Sequence, residues 1–430
     1  MSVFDVYRSD YIIRGQAPPP PRQIEKGIKM TRASRIGFYA TALAILCLQN
    51  TPADDWPFFR GPSLTGASKE KGWNPQSLKE AWKKDIGIGA SSFTVAGNKV
   101  ITSANKENRD IVYCLNADDG KEIWRYEYSC KFDKRMFDGG TASTPTIDGQ
   151  YVYNLSFDGK AQCLKLADGK PVWTKNVISE FGGKLSRWKY AGSPLVLGKL
   201  VIFDIGGSPN STLALDKRTG KKVWGKGSEA AGYATPIPFK FGSATGVMVF
   251  KGKTLVAHAA TNGRELWRIP FPTKYDVNAS TPIVFGKTFF VSAGYNTGRG
   301  VLYEITRSTP KQLWRNNDLQ TKMNTAVAHN GNIYGISLKG GLMCIDMKSG
   351  NTLWKDGSSG REGTLTLADG KLIILSDRGE LIIAEANPEG FKPITRKRVL
   401  KGRCWVVPVL ANGRIYCKTN RGQMVCLDVR

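Results

Sequence analysis

Short runs of apolar and β-branched residues, each closed by glycine, proline, asparagine or aspartate, follow one another along most of the chain. The stretch from Tyr190 to Lys226 displays the unit most clearly. AGSPLVLG leads into LVIFDI, a glycine-rich turn precedes TLALD, and the tight turn KRTG leads to KKVW. Runs this short, punctuated in this way, predict four strands. Asp216 opens the last turn, where its carboxylate can accept backbone N–H bonds, and Gly220 supplies the positive φ of a bulged hairpin. A glycine four residues ahead of a tryptophan recurs at Gly120/Trp124, Gly169/Trp173, Gly220/Trp224, Gly263/Trp267 and Gly350/Trp354. Pro310/Trp314 and Gly390/Ile394 are expected to hold the same two positions with one member replaced. A strand-rich repeat of roughly 40–50 residues predicts propeller blades.

Openings of the unit fall near Ala90, Thr141, Tyr190, Ala231, Asn278, Asn324, Gly363 and Arg403, which predicts eight blades. The last copy stops at Asp428-Val429-Arg430, before its outermost strand. The segment LKEAWKKDIG from Leu78 to Gly87 carries Trp82 but has no earlier blade to belong to. It is therefore expected to complete the eighth blade and remove the open sheet edges. The expected fold is all-β: an eight-bladed β-propeller of four-stranded antiparallel blades over residues 78–430, closed by the N-terminal strand. Trp82, Trp124, Trp173, Trp224, Trp267, Trp314 and Trp354 are expected to join neighbouring blades. Each buried indole removes ~150–250 Å² from water, worth at most roughly 4–6 kcal/mol.

Composition agrees with one large β domain, since 47 glycines supply the turns and 41% hydrophobic residues suffice for a core. Upstream, a basic stretch at residues 30–35, an uncharged run from Ile36 to Leu48 and Thr51-Pro52-Ala53 predict a signal peptide over residues 30–53. The run is too short to span a bilayer. Residues 1–29, with prolines at 18–21, read as a non-native or disordered extension, and residues 54–77 as a lead-in segment. These features predict an exported, monomeric protein of the periplasm or cell envelope with no transmembrane span. The full chain carries +26, and removal of the first 53 residues leaves +22; in that compartment such a charge points to an anionic glycan, lipopolysaccharide or an acidic protein face as partner, and nucleic acid is not expected. Against this stands the simpler reading that the lysines are solvated loop residues.

Cys114, Cys163, Cys344 and Cys426 share one slot of the repeat and read as small apolar interior residues. If Arg421-Gly422 forms a two-residue hairpin turn, Cys417 and Cys426 lie directly opposite, within disulfide reach. His258 and His329 fall in different blades and read as structural. No metal-ligand spacing, nucleophile elbow or phosphate loop is present, so no catalytic or metal-binding residue is assigned.

The repeat written as Asp216-Lys-Arg-Thr219-Gly220-Lys-Lys-Val-Trp224 resembles the tryptophan-docking motif of pyrroloquinoline quinone (PQQ) dehydrogenase-like propellers, from about Trp56 to Arg430. The lead-in Asp55-Trp56-Pro57-Phe58-Phe59-Arg60-Gly61-Pro62 resembles that of exported PQQ-like repeat proteins of the planctomycete type, related to propeller lipoproteins that assist outer-membrane assembly. True quinoprotein dehydrogenases of this superfamily carry adjacent disulfide-bonded cysteines and a Glu, Asn and Asp set for Ca²⁺. No two cysteines here are neighbours, and no such set maps onto the chain. The resemblance therefore implies a non-catalytic binding or scaffold propeller without cofactor, acting on an envelope protein or anionic ligand. The alternative is a PQQ-dependent dehydrogenase using PQQ with Ca²⁺. Residues just before each innermost strand are expected to line the central funnel, where propellers bind ligands. Arg135, Lys189, Tyr190, Tyr233, Asn278, Lys322, Asn324, Arg361, Arg403 and Trp405 occupy those places. Basic groups beside aromatic rings suit a carboxylated ligand, such as an acidic peptide segment, a glycan or a quinone.

Overall fold

Exposed positions are interspersed with buried ones on the outermost strand of each repeat, whereas the middle strands are buried on both faces, because sheets stand against both sides of them. In blade 3, Leu200–Asp204 and Thr212–Asp216 are almost wholly buried, while Lys222–Lys226 buries Trp224 and exposes its neighbours. The computed structural model describes residues 55–133, 138–295 and 298–430. The segment expected to be a signal peptide, the extension ahead of it and Arg135 lie outside the described residues. Among the described residues no helix is long and apolar enough to cross a membrane.

Among the described residues eight sheets form the ring, antiparallel throughout except for one short parallel strand added to blade 7. Blades 1 to 7 are each built from four consecutive strands, beginning at Thr94, Thr146, Leu195, Ile237, Ile283, Val327 and Thr364. Blade 8 takes three strands from the C-terminus (Val409–Ala411, Arg414–Lys418 and Gln423–Asp428) and its outermost strand, Lys79–Asp85, from the N-terminus. Trp82 pairs with Cys426 there, and the bulge between Glu80 and Trp82 reproduces the one beside Trp124, Trp173, Trp224, Trp267, Trp314 and Trp354. The predicted fold and the predicted closing strand are both observed.

The glycine and tryptophan of one copy do not meet each other. The indoles of Trp82, Trp124, Trp173, Trp224 and Trp314 instead lie on the turn glycine of the next blade. A Cβ on Gly120 would come within 2.7 Å of the Trp82 ring, on Gly169 within 2.5 Å of Trp124, on Gly220 within 2.9 Å of Trp173 and on Gly350 within 2.6 Å of Trp314. These glycines combine that close approach with φ of +68° to +78°, so a side chain is excluded twice over. The indole N–H then finds a carbonyl in the same turn, as in Trp82 to Ala117 (2.9 Å), Trp173 to Lys217 (3.0 Å) and Trp224 to Ala260 (2.9 Å). Cys114, Cys163, Cys344 and Cys426 lie directly opposite Trp124, Trp173, Trp354 and Trp82, a slot that admits only a modest side chain.

Two register expectations are corrected. In blade 7, Thr395 rather than Ile394 lies opposite Ile383, and Ile394 takes the bulge position. The connection from Ile383 to Thr395 is two residues longer than that from Cys344 to Trp354, and the Trp354 indole donates to Asn387 O. In blade 8, Cys417 pairs with Val425 and Cys426 with Tyr416. The connecting loop holds an odd number of residues, closed by Thr419 N–H to Gln423 O, and a one-residue slip sends the two thiols to opposite faces of the sheet. Both are free and buried. Burial pushes the Cys426 thiol up to about 12 and the Cys417 thiol well above its usual range. These two thiols are expected to resist a thiol reagent until denaturant is added, with identical peptide maps with and without reductant. A mass map containing a linked Cys417–Cys426 peptide would refute the register.

Candidate functional site

The innermost strands of a propeller leave one edge facing the axis, and the lead-in segment uses several of those edges. Trp56 exchanges two 2.9 Å backbone bonds with Val95 of blade 1, and Pro57 O accepts from Ile147 N–H of blade 2 (2.9 Å). Arg60 Nη2 donates to Ala326 O of blade 6 (2.6 Å) and to Thr65 O (2.9 Å). Ala67–Ser68 then runs parallel to Thr364–Ala368 of blade 7. Residues 55–68 thus lie across the channel and plug it at the end bearing the turns after each first strand, where Asp55 Oδ1 accepts from Gly97 N–H (2.8 Å). Arg60 is buried in this plug, and the desolvation lowers its guanidinium to about 9. Gly66 accommodates it, since a Cβ there would fall 2.1 Å from Nη2.

Above the plug the blades are tied by a course of hydroxyls. Ser92 N–H donates to Thr144 Oγ1 (2.9 Å), Thr144 N–H to Ser193 Oγ (3.0 Å) and Ser193 N–H to Thr235 Oγ1 (3.0 Å). Thr235 N–H continues to Thr281 Oγ1 (3.2 Å) and Thr281 N–H to Thr325 Oγ1 (3.1 Å). Blade 8 has Val407 in this slot, and Ser92 Oγ donates to its carbonyl instead (2.8 Å). Most of these hydroxyls precede a proline (Pro145, Pro194, Pro236 and Pro282), which supplies no N–H of its own. The recurring Ser/Thr-Pro pair was the available signal for this ring.

The other end of the channel opens into a mostly apolar cavity of about 180 Å³. Phe59 of the plug forms part of its wall, small residues such as Ala142, Ala191 and Ala279 leave it room, and Trp188, Tyr233, Tyr295 and Trp405 supply aromatic faces. Tyr233 OH accepts from Trp188 N–H (3.2 Å), and burial raises the phenol. Trp405 is held from three sides. Its Nε1 donates to Glu362 Oε2 (3.1 Å), while the Arg403 guanidinium stands 4.7 Å and the Lys322 ammonium 5.3 Å from its ring. Lys322 is also ion-paired with Glu362, and Arg403 with Asp138 (2.8 Å). Cations over an indole face attract its quadrupole and fix its orientation.

Of the positions expected to line the funnel, Tyr233 and Trp405 reach the cavity, and Lys322 and Arg403 stand at its edge against Trp405. Five others are corrected. Tyr190 is buried in the core between blades 2 and 3, with its OH donating to Ile205 O (2.8 Å). Asn278 spends its amide on Lys251 O, Gly252 O and Phe271 O, and Asn324 on Ile336 O and Gly363 O. These asparagines brace loops that carry carbonyls with no strand partner. Lys189, at φ +64°, faces a separate surface cleft with Asp133 and Asp158. Arg361 is exposed outside the cavity, its backbone N–H bound to Asp377 Oδ2 (3.2 Å). Sequence reasoning missed Phe59, Trp188, Tyr295, Asp138 and Glu362. Phe59 belongs to a segment read only as a leader, and the other four sit in loops whose direction follows from the closed ring.

The geometry now permits comparison with known proteins. A family model described as outer membrane protein assembly factor BamB matches residues 72–154 and 108–356. BamB of Escherichia coli (strain K12) is 26% identical over 367 residues, 81% of this chain and 78% of that protein. The crystal structure of BamB from Moraxella catarrhalis aligns with a TM-score of 0.61 at 16% identity, over 82% of this chain and 97% of that one. Quinohemoprotein alcohol dehydrogenase from Comamonas testosteroni aligns with a TM-score of 0.63 at 13% identity, over 87% and 80%. At such identities the two structural likenesses establish the propeller fold alone. The family match, which runs through the first six blades, carries the assignment: the chain belongs to the family of the outer membrane protein assembly factor BamB.

Proposed function

We propose that this protein is an exported scaffold that binds a protein segment during assembly of outer-membrane proteins. The observation that carries the reading is the plugged channel, which leaves one aromatic cavity with ion-paired edges at the axis of a BamB-family propeller. A cavity with aromatic walls and a polar rim suits a side-chain anchor of a partner chain. Scaffold binding requires no chemistry from the funnel, and the principal charged groups at its edge are committed to ion pairs.

The PQQ alternative draws support from the shared fold of the quinohemoprotein dehydrogenase. The donor set does not fit that group. Among the described residues no three His, Cys, Asp or Glu side chains converge to hold a metal ion, no two cysteines are adjacent in the chain, and Asp138 and Glu362 are engaged by Arg403 and Lys322. No catalytic step is derived through the quinone.

The test is mild crosslinking in the native cells followed by affinity isolation of the tagged protein. The expected result is reproducible recovery of an outer-membrane assembly component, reduced by Trp405→Glu, which places a charge in the cavity. Isolation of the wild-type protein alone would sink the scaffold reading.

A further inference from the structure

Beside the funnel, on the same end of the ring, a second cleft runs between blades 7 and 8, and Trp405 forms a wall of both. Arg378, Arg398, Lys401 and Arg403 line it, and all four are exposed. Its carboxylates are already engaged. Glu362 holds Lys322 and the Trp405 indole, and Asp377 Oδ2 accepts the backbone N–H groups of Arg361 (3.2 Å) and Glu362 (3.4 Å). Arg403 has Asp138, but Arg378, Arg398 and Lys401 have no carboxylate partner among the described residues. Arg398 Nη1 donates to the backbone carbonyl of Arg378 (2.6 Å), which ties one guanidinium to the loop that carries the other. Like charges gathered this way repel one another and attract an anion that bridges them.

We propose that this cleft and the funnel form one continuous site for an extended, acidic protein segment. Carboxylates of the segment pair with Arg378, Arg398 and Lys401, and an apolar side chain crosses the Trp405 edge into the cavity faced by Phe59 and Tyr233. Guanidinium forks match carboxylates in two-pronged geometry, which fixes the segment, and the aromatic cavity removes its apolar residue from water. The assignment rests on the protein-binding reading above and names the chemistry of the partner. A lipid phosphate satisfies the cations but leaves the adjoining apolar cavity unfilled, so the observations favour a peptide.

The experiment uses a fluorescent peptide of glutamates around a central phenylalanine, with a lysine counterpart and a version carrying glycine for phenylalanine. The full chain is expected to bind the first peptide, more weakly as salt rises. Arg378→Glu, Arg398→Glu and Lys401→Glu together are expected to weaken it by about tenfold or more, and the glycine peptide should also bind more weakly. All three residues are exposed, and matching melting curves, with a triple glutamine variant in parallel, separate loss of binding from loss of fold. Unchanged affinity in the triple variant, or equal binding of the lysine peptide, overturns the proposal. So does charge-dependent sedimentation with phosphatidylglycerol vesicles in the absence of peptide binding. If the triple variant recovers the envelope partner at wild-type levels, the cleft assignment falls and the scaffold reading stands. If peptide binding behaves as expected but the wild type recovers no partner, the cleft assignment stands and the assembly role falls.

Discussion

Replacing Lys251 with methionine is expected to lower the unfolding free energy by about 3–5 kcal/mol. Lys251 follows the second strand of blade 4 and is fully buried against Asp204, which ends the second strand of blade 3 (2.7 Å). All three ammonium hydrogens are used, since Nζ also donates to Ser211 O (2.8 Å) and Ser211 Oγ (2.7 Å). Asp204 Oδ2 accepts Gly232 N–H (2.9 Å). Burial raises the Asp204 carboxyl and Lys251 opposes that rise. Without the lysine the carboxylate is left desolvated and must take up a proton on folding. Native protein then binds more protons than unfolded chain above the ordinary carboxyl value of 3.8, so the loss shrinks as the pH falls toward that value. Adding Asp204→Asn is expected to restore most of the loss, because an amide oxygen still accepts Gly232 N–H without a charge. Guanidinium unfolding of the two variants decides the matter, and a single-variant loss below about 1 kcal/mol contradicts the account.

Lys418 is the opposite case, a buried cation whose removal is expected to stabilise the protein by about 2–4 kcal/mol near neutral pH. It ends the second strand of blade 8 and reaches Thr102 Oγ1 and Ser103 O of blade 1, each at 3.3 Å. The Phe93 ring is 5.9 Å away. Two long bonds to neutral groups do not replace the hydration of an ammonium, and burial lowers its pKa from 10.5 to about 7. The sign follows from proton counting. Between those two values the unfolded chain holds a proton that the native state lacks, so stability rises with pH across this window and is lowest below it. Lys418→Met is expected to abolish that rise and to melt higher at pH 6. Denaturant midpoints measured from pH 6 to pH 10 test it, and a flat wild-type profile would count against the burial argument.

Much of the ring was legible because its signals are local and repeated. Turn chemistry at Asp216 and Gly220, the recurrent tryptophan and the truncated last copy together specify four-stranded blades and a borrowed strand at Trp82. The same locality misleads at the edges of the pattern. Gly390 and Ile394 match the motif in spacing, yet a connection two residues longer gives the site opposite Ile383 to Thr395. Cys417 and Cys426 suit a two-residue turn, yet the longer loop flips one of them. In the funnel, position before an inner strand leads to the cavity wall at Tyr233 and Trp405 but not at Tyr190, Asn278 or Asn324, whose polar atoms answer backbone carbonyls contributed by distant residues.

What the sequence determined by itself is the repeat: strand, turn and bulge are decided within a few residues by φ preferences and by which side chains leave water. Only the tertiary structure decided what those residues touch. The indole of Trp173 rests on Gly220 and not on Gly169. Phe58-Phe59-Arg60 becomes a channel plug, and Trp405 joins an apolar cavity to a basic cleft. Closure of the ring sets these contacts, because it brings together edges and loops that are far apart along the chain and leaves their polar groups to be satisfied by whichever neighbour arrives.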